Sequence, residues 1–208
     1  MEVPEDLPLA AFSRREDPRD VLVLPEGISQ MDPSKPIGCS SRRRQLQLKA
    51  LYPEMEIKPV RGNVQTRLKK LQDGEFSALV LAAAGLKRLG LEHRISRYFS
   101  VEELLPAAGQ GILAVQARKG TDTVCLAEVQ DADAACCALA ERAFVRALDG
   151  GCSSPVAAYA QVEGERLTLT GLYVSADEAV VRRGVKIGEK SQAQTLGIAL
   201  AETLKKGL

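Results

Sequence analysis

The sequence contains a single histidine in 208 residues, and aromatic residues make up only 4%. With His93 as the one histidine, neither a histidine metal site nor a Ser-His-Asp triad has much material in this sequence. The net charge of +1 and the lack of a stacking platform argue against nucleic acid as a partner. The longest apolar run, residues 78–86, is far shorter than a membrane span. We therefore expect no metal, no nucleic acid and no membrane partner.

Cysteines are few and do not form a recognisable pattern. There are five, an odd number, and none lies in a C-x-x-C spacing. This pattern favours a reduced, cytoplasmic chain. The first six residues are acidic and contain Pro4, so we expect no secretory signal. We predict packing roles for four of the cysteines, which are Cys39, Cys125, Cys136 and Cys137.

The first half of the chain alternates between apolar and helical segments. Short apolar stretches occur at 21–24, 36–39, 55–60 and 76–84, and the last is nearly continuous, as in a strand buried on both faces. Between them, residues 42–52 and 64–71 have helical composition. Strand, helix, strand, helix, strand is the order of a doubly wound α/β domain, similar to a periplasmic-binding-protein domain.

The second half predicts a smaller α+β domain. Asp133 is expected to cap a helix over 134–148, which ends at Gly150-Gly151. Three strand-like segments follow, separated by short polar turns, and a last helix is predicted over 192–205. The strands are predicted at 156–162, 166–174 and 179–187. This order predicts a three-stranded antiparallel sheet covered by helices.

The densest chemical signal is the segment from Gly38 to Arg44, where a strand ends and a helix begins. Ser40 and Ser41 supply hydroxyls, and Arg43 and Arg44 supply guanidinium groups. The free N–H groups of a helix N-terminus favour an anion at the same place. The segment therefore predicts a site for a carboxylate or a phosphate.

Arginines also follow the next two predicted strands. Arg61-Gly62-Asn63 comes after one strand, with Arg67 one helical turn later, and Arg88 follows the other. The carboxyl ends of parallel strands meet at one edge of a sheet, and each guanidinium can bind a carboxylate through two hydrogen bonds. A ligand with several carboxylates would suit this edge. The alternative is that residues 42–44 form only a solvated helix face.

A second chemical signal is Cys152, which directly follows Gly150 and Gly151. A cysteine on a glycine loop near cationic groups has a lowered thiol pKa and can form a covalent bond. The alternative is a small apolar residue beside a helix end, and the residues alone leave both possibilities open.

Taken together, these segments resemble the porphobilinogen deaminase (hydroxymethylbilane synthase) family. The similar stretches occur in family order and span nearly the whole chain. They are 15–20 (Arg-Glu-Asp-Pro-Arg-Asp), 38–44, 61–67, 81–90, 106–111 (Pro-Ala-Ala-Gly-Gln-Gly), 141–144 (Glu-Arg-Ala-Phe) and 150–156.

The resemblance implies a transferase of porphyrin (haem) biosynthesis. Such an enzyme condenses four porphobilinogen molecules into hydroxymethylbilane and releases four ammonia molecules. Its primer is a dipyrromethane cofactor, held by a thioether to a cysteine that here would be Cys152. The residues implied in binding the carboxylates of cofactor and substrate are Ser40, Ser41, Arg43, Arg44, Arg61, Gly62, Asn63, Arg67 and Arg88.

The resemblance also implies three domains. Residues 1–15 and 107–131 would be remnants of domain 1, most of which is absent. Residues 16–106 would form domain 2, and residues 132–208 would form domain 3 with Cys152.

This chain departs from the family pattern chiefly at its start. The catalytic aspartate of the family lies in a His-Ser-x-Lys-Asp-x-Pro motif, which falls upstream of Met1 when the chains are aligned through residues 15–18. Without that carboxylate nothing stabilises the positive charge that develops in the reaction. We therefore expect no catalytic residue in this fragment, no activity of the chain alone and little or no bound dipyrromethane.

Cys39 and Arg42 also differ from the residues common in the family, which are threonine and leucine. Two readings of the fragment remain beside a truncated chain. It could be one half of a split enzyme, in which a separate polypeptide supplies domain 1. It could instead be a non-enzymatic module that binds polycarboxylates or other anions, because fold alone does not determine function.

Overall fold

The computed structural model describes residues 3–149 and 155–206. Its strands are Leu9–Phe12 (β1), Asp20–Val23 (β2), Ile37–Gly38 (β3), Ile57–Lys58 (β4), Ala78–Ala82 (β5), Arg97–Tyr98 (β6), Ala114–Gln116 (β7), Ala157–Glu163 (β8), Arg166–Val174 (β9) and Val181–Glu189 (β10). Its helices are Arg42–Leu51 (α1), Val64–Gln72 (α2), Ala83–Arg88 (α3), Ala132–Ala147 (α4) and Ala193–Lys206 (α5). Within the described residues, no helix is both long and apolar enough to cross a membrane.

The chain divides into two compact units. We call Asp17–Pro106 the central unit, and Met1–Glu16 together with Ala107–Leu208 the terminal unit. Each unit has its own hydrophobic core.

The central unit is built on a five-stranded sheet in the order β4-β3-β5-β2-β6. Strands β3, β4 and β5 are parallel, whereas β2 runs antiparallel to both of its neighbours. Leu79 and Leu81 pack on one face with α2 and α3, and Ala78 and Val80 pack on the other with Leu48 of α1. Helices thus cover both faces, which explains the continuous apolar run of β5.

The terminal unit contains two antiparallel sheets. Strands β8, β9 and β10 form a meander, and β1 pairs with β7 in a separate two-stranded ribbon. One face of the meander packs on α4 and α5 through a core that includes Phe144, Leu169 and Leu200. Gly197 allows α5 to approach α4 closely, because a Cβ there would lie 2.3 Å from the Ala140 carbonyl oxygen.

The structure confirms a mixed α/β protein with a three-stranded antiparallel sheet in its second half. Several predicted boundaries are wrong. Asp131, not Asp133, caps α4, and its carboxylate accepts a hydrogen bond from Ala134 N at 2.7 Å. The strand predicted over 55–60 is only Ile57–Lys58, because Pro59 cannot donate to a ladder. The predicted helix end at Gly150-Gly151 lies outside the described residues.

Candidate functional site

The carboxyl ends of β3, β4 and β5 lie at one edge of the central sheet, because these strands are parallel neighbours. The turns after β3 and β4 are joined directly by Ser40. Its hydroxyl accepts a hydrogen bond from Val60 N at 3.0 Å and donates one to Val60 O. The Ser40 hydroxyl therefore holds the turn that carries Arg61 beside the start of α1, and both of these hydrogen bonds go to the main chain.

Ser41 occupies the N-cap position of α1 with extended backbone. Its hydroxyl, however, makes no capping hydrogen bond with any described residue. The first turn of α1 contains no acidic residue and three arginines. Positive charge at a helix N-terminus opposes the helix dipole, so this end of α1 favours a negatively charged partner.

That partner within the protein is Asp20, the first residue of β2. Asp20 Oδ2 accepts a hydrogen bond from Arg43 Nη1 at 2.7 Å, and Asp20 Oδ1 lies 2.9 Å from Arg44 Nε and 2.7 Å from Arg44 Nη2. The three side chains are 0%, 4% and 12% exposed for Asp20, Arg43 and Arg44 respectively. Burial alone would raise the pKa of Asp20, but Arg44 and Arg43 outweigh it and hold that pKa below its ordinary value.

The turn after β4 is shaped by its own backbone. Gly62 has a φ of 118°, which favours glycine, and Asn63 caps α2 through a hydrogen bond from Thr66 N at 2.9 Å. Arg67 Nε donates to the Gly62 carbonyl at 2.8 Å. The exposed Arg61 is presented by this turn.

The third predicted strand end leads into α3, and Arg88 is the last, exposed residue of that helix. The neighbouring Lys87 lies 3.7 Å from Asp17. Asp17 also pairs with Arg19 at 2.6 Å, and the hydrogen bond from Arg19 is the main reason that the pKa of Asp17 lies below its ordinary value. Asp17 and Lys87 add charge of both signs beside the start of β2.

The predicted attachment residue, Cys152, lies outside the described residues, as do Gly150 and Gly151. The four described cysteines are free thiols. Cys39 and Cys137 are buried, Cys136 is half-buried and Cys125 is exposed, so a packing role suits Cys39 and Cys137 but not Cys125. Within residues 3–149 and 155–206, no three His, Cys, Asp or Glu side chains group as a metal site would require.

Two buried acids were missed by sequence reasoning. Asp20 directly precedes the apolar stretch 21–24. This position suggests the edge of a sheet but does not indicate which basic residue the carboxylate contacts. Glu141 lies in the middle of α4, where its buried carboxylate accepts hydrogen bonds from Gly109 N at 2.6 Å, Ala160 N at 2.7 Å and Arg15. Its signals in the sequence were a charged residue in an alanine-rich helix and its place in the family-like stretch 141–144, neither of which indicated its partners.

Comparison with known proteins defines the class. Residues 1–126 match the family described as porphobilinogen deaminase, dipyromethane cofactor binding domain, and residues 135–206 match the porphobilinogen deaminase C-terminal domain. The two matched families describe a transferase with a cofactor-binding domain and a C-terminal domain. This chain belongs to the porphobilinogen deaminase family, as the resemblance in its sequence predicts.

Individual relatives are similar over almost the entire chain. The porphobilinogen deaminase of Alkaliphilus oremlandii is 55% identical over 99% of this chain, and that of Acetivibrio thermocellus is 52% identical over 100%. The protein of the same name from Roseiflexus castenholzii is 46% identical over 97%. The alignments cover only 69%, 70% and 68% of these three relatives, which are longer than this chain.

Proposed function

We propose that this chain supplies the cofactor-binding and substrate-binding part of a hydroxymethylbilane synthase. The reaction joins four porphobilinogen molecules with water into hydroxymethylbilane and releases four ammonia molecules. The observation that carries the proposal is the common edge of β3, β4 and β5, where hydroxyl, guanidinium and helix N–H donors follow successive parallel strands. Such an edge suits ligands with several carboxylates.

The predicted binding residues take different parts in this proposal. Ser41, Arg61, Arg67 and Arg88 are the ones we expect to contact ligand carboxylates. Ser40, Gly62 and Asn63 shape the two turns through the backbone contacts described above. Arg43 and Arg44 supply positive charge from beneath the start of α1, where both are bound to Asp20.

The donors present fit a dipyrromethane with acidic side chains. The Ser41 hydroxyl makes no capping bond with a described residue, and Arg61 is exposed beside it in a turn held by Ser40. When bound through Cys152, the dipyrromethane supplies the end to which pyrrole units are added. The residues of this chain bind and orient the growing polycarboxylate.

We also propose that the central unit is doubly wound, like periplasmic binding proteins. The parallel β3-α1-β4 and β4-α2-β5 connections place α1 on one face and α2 on the other, which supports this description. The three-domain division implied by the resemblance stays a proposal, with remnants of domain 1 at 1–15 and 107–131. A cytoplasmic location also stays a prediction, based on the cysteine pattern.

We propose further that the rest of domain 1, on a separate polypeptide or in a longer chain, docks beside the ribbon. Within the described residues, β1 and β7 pair only with each other, so each has an open edge. Between β1 and α4 lies a groove of about 720 Å³ with Leu9, Phe12, Cys136 and Leu139 among its lining residues. A largely apolar groove beside open strand edges suits a segment that adds to the sheet.

The proposal predicts that the chain alone produces neither ammonia nor hydroxymethylbilane from porphobilinogen. Adding the part of the Alkaliphilus oremlandii protein that this chain does not match should restore turnover, because that part would carry the missing aspartate. Turnover by the isolated chain would refute the proposal that this chain needs an aspartate from another part of the enzyme. If the mixture forms a complex and remains inactive, the enzymatic proposal fails.

Mass spectrometry separates the enzymatic reading from a purely anion-binding module. In the active mixture, the intact chain should gain the mass of a dipyrromethane, whereas a Cys152→Ser chain should not. A matched Cys125→Ser change at the exposed cysteine should leave the adduct in place. An anion-binding module would bind porphobilinogen reversibly and show no adduct with either variant.

A further inference from the structure

Asp20 has no role in the carboxylate site that the resemblance implies, yet Arg43 and Arg44 of α1 both contact it. It accepts hydrogen bonds from Arg43 and Arg44 through its two different oxygens. Its main chain is anchored as well, because Asp20 pairs with Ala82 of β5 and its carbonyl accepts a hydrogen bond from Phe99 N at 3.0 Å. The carboxylate therefore stands at a fixed point of the sheet edge.

Arg43 is held from a second direction. Its Nη1 donates to the Leu105 carbonyl at 2.6 Å in addition to Asp20. Gln47, one turn further along α1, accepts a hydrogen bond from Leu105 N at 2.8 Å and donates to Leu105 O at 3.2 Å. Arg43 thus links the Asp20 carboxylate to the main chain of Leu105, which Gln47 also contacts. The Arg43 guanidinium therefore has little freedom to reorient.

Two guanidinium groups face one carboxylate, and both arginines lie in the first turn of α1, where the helix dipole adds further positive potential. Both arginines are almost fully buried, so solvent screens this positive potential poorly. The potential stabilises an anion at the α1 N-terminus.

We propose that Asp20 is a positioning residue for the binding of ligand carboxylates. It aligns Arg43 and Arg44 beneath the N-terminus of α1, where their positive potential favours a ligand carboxylate. The inference rests on the proposed function, in which this sheet edge binds the carboxylates of porphobilinogen and its products, and it assigns a role to a residue outside the predicted binding set.

A positioning role and a simple electrostatic role predict opposite effects of removing the charge. Asp20→Asn keeps the shape of the side chain and one carbonyl oxygen but removes the negative charge. If Asp20 only lowered the positive potential, this variant would bind an anionic ligand more tightly. If Asp20 aligns the arginines, the variant binds more weakly, in spite of its higher positive charge.

The experiment measures the dissociation constant of porphobilinogen for the folded 208-residue chain by calorimetry, with the binding stoichiometry reporting the competent fraction. We expect Asp20→Asn to weaken binding by about tenfold or more, the effect of losing one charge-assisted contact. Asp20→Glu keeps the charge but moves the carboxylate, and we expect an intermediate loss. Tighter binding by Asp20→Asn, or unchanged binding by Asp20→Glu, would overturn the inference.

Asp73→Glu is the matched control, because Asp73 pairs with Lys69 on the exposed surface of α2. It should bind porphobilinogen as the unchanged chain does.

If Asp20→Asn does not fold, the Asp20→Glu result decides. If the unchanged chain binds no porphobilinogen, the proposed function fails and this inference fails with it. If the unchanged chain binds and the Asp20 variants bind equally well, only the positioning role is lost.

Discussion

The carboxylate of Glu141 on α4 binds the guanidinium of Arg15, with 2.6 Å between Glu141 Oε1 and Arg15 Nη2. The Glu141 side chain is fully buried and that of Arg15 is 14% exposed. The same carboxylate accepts hydrogen bonds from the main chain of Gly109 and of Ala160. One side chain therefore holds three separate segments of the terminal unit.

Replacing Glu141 should destabilise the terminal unit strongly. Glu141→Gln keeps the size of the side chain but leaves the Arg15 charge buried without its partner, and we expect a loss of about 3 kcal/mol in the free energy of unfolding. Urea unfolding checks this. The same change at the exposed Glu202 of α5 should cost less than about 0.5 kcal/mol. Equal, small losses from both variants would mean that the buried ion pair contributes little.

The two adjacent serines at the start of α1 should respond differently to alanine. Ser40→Ala removes a hydroxyl that both accepts from and donates to the main chain of Val60, so we expect a loss of about 1–2 kcal/mol. Ser41→Ala removes a hydroxyl without a described capping bond, so the free energy of unfolding should hardly change while porphobilinogen binding weakens. Urea unfolding and calorimetric titration of both variants test this division, and a stability loss confined to Ser41→Ala would reverse it.

Two helical glycines should also respond in opposite directions to alanine. A Cβ at Gly197 of α5 would lie 2.3 Å from the Ala140 carbonyl oxygen and 2.8 Å from Ala143 Cβ, so we expect a loss of about 1–3 kcal/mol from overpacking. A Cβ at Gly85 of α3 would meet no described atom within 4 Å, so Gly85→Ala should stabilise the protein by up to about 1 kcal/mol through its helix propensity. Thermal unfolding of both variants provides the comparison. If Gly197→Ala unfolds with the same free energy as the unchanged chain, α4 and α5 can move apart without loss of stability.

The stability of the central unit should fall in acid because of Asp20. Arg44 and Arg43 outweigh the effect of burial and hold the pKa of Asp20 below its ordinary value of 3.8. The folded protein therefore binds this proton less readily than the unfolded chain does. The stabilising contribution is complete above pH 3.8 and is lost as the pH falls through the lowered pKa.

Unfolding free energies measured between pH 2 and pH 6 should show this slope in the unchanged chain. An Asp20→Asn chain should be less stable at pH 6 and should lack that part of the slope, because no carboxylate titrates there. Parallel pH profiles for the two chains would contradict the assignment of the slope to Asp20.

Much of the secondary structure could be predicted from local patterns. The apolar run that includes β5 and the alternation along β8 and β9 identify strands because burial on two faces or on one face leaves those periods in the sequence. The ribbon of β1 and β7 and the short strand β6 were not predicted. These strands have two to four residues and are defined by pairing with distant segments rather than by a period of their own.

The candidate site was predictable only in part. Hydroxyls and arginines after successive strands indicate an anion-binding edge because parallel strands end together, and the family resemblance from the same segments is confirmed by the comparisons. The individual binding residues stay predictions. Nothing in the local sequence indicated that Ser40 would be used to join two turns, or that Arg43 and Arg44 would turn inward.

The sequence by itself thus determined the family and the presence of helices on an α/β sheet, and it predicts an anion site at the strand ends. These properties depend on residue type and spacing along the chain, which short-range physical rules can interpret. Only the tertiary structure decided which charges meet, because Asp20 is 23 residues from Arg43 and Arg15 is 126 residues from Glu141. Burial makes such pairs obligatory, since a charge removed from water needs a partner, but the packing of whole elements selects that partner.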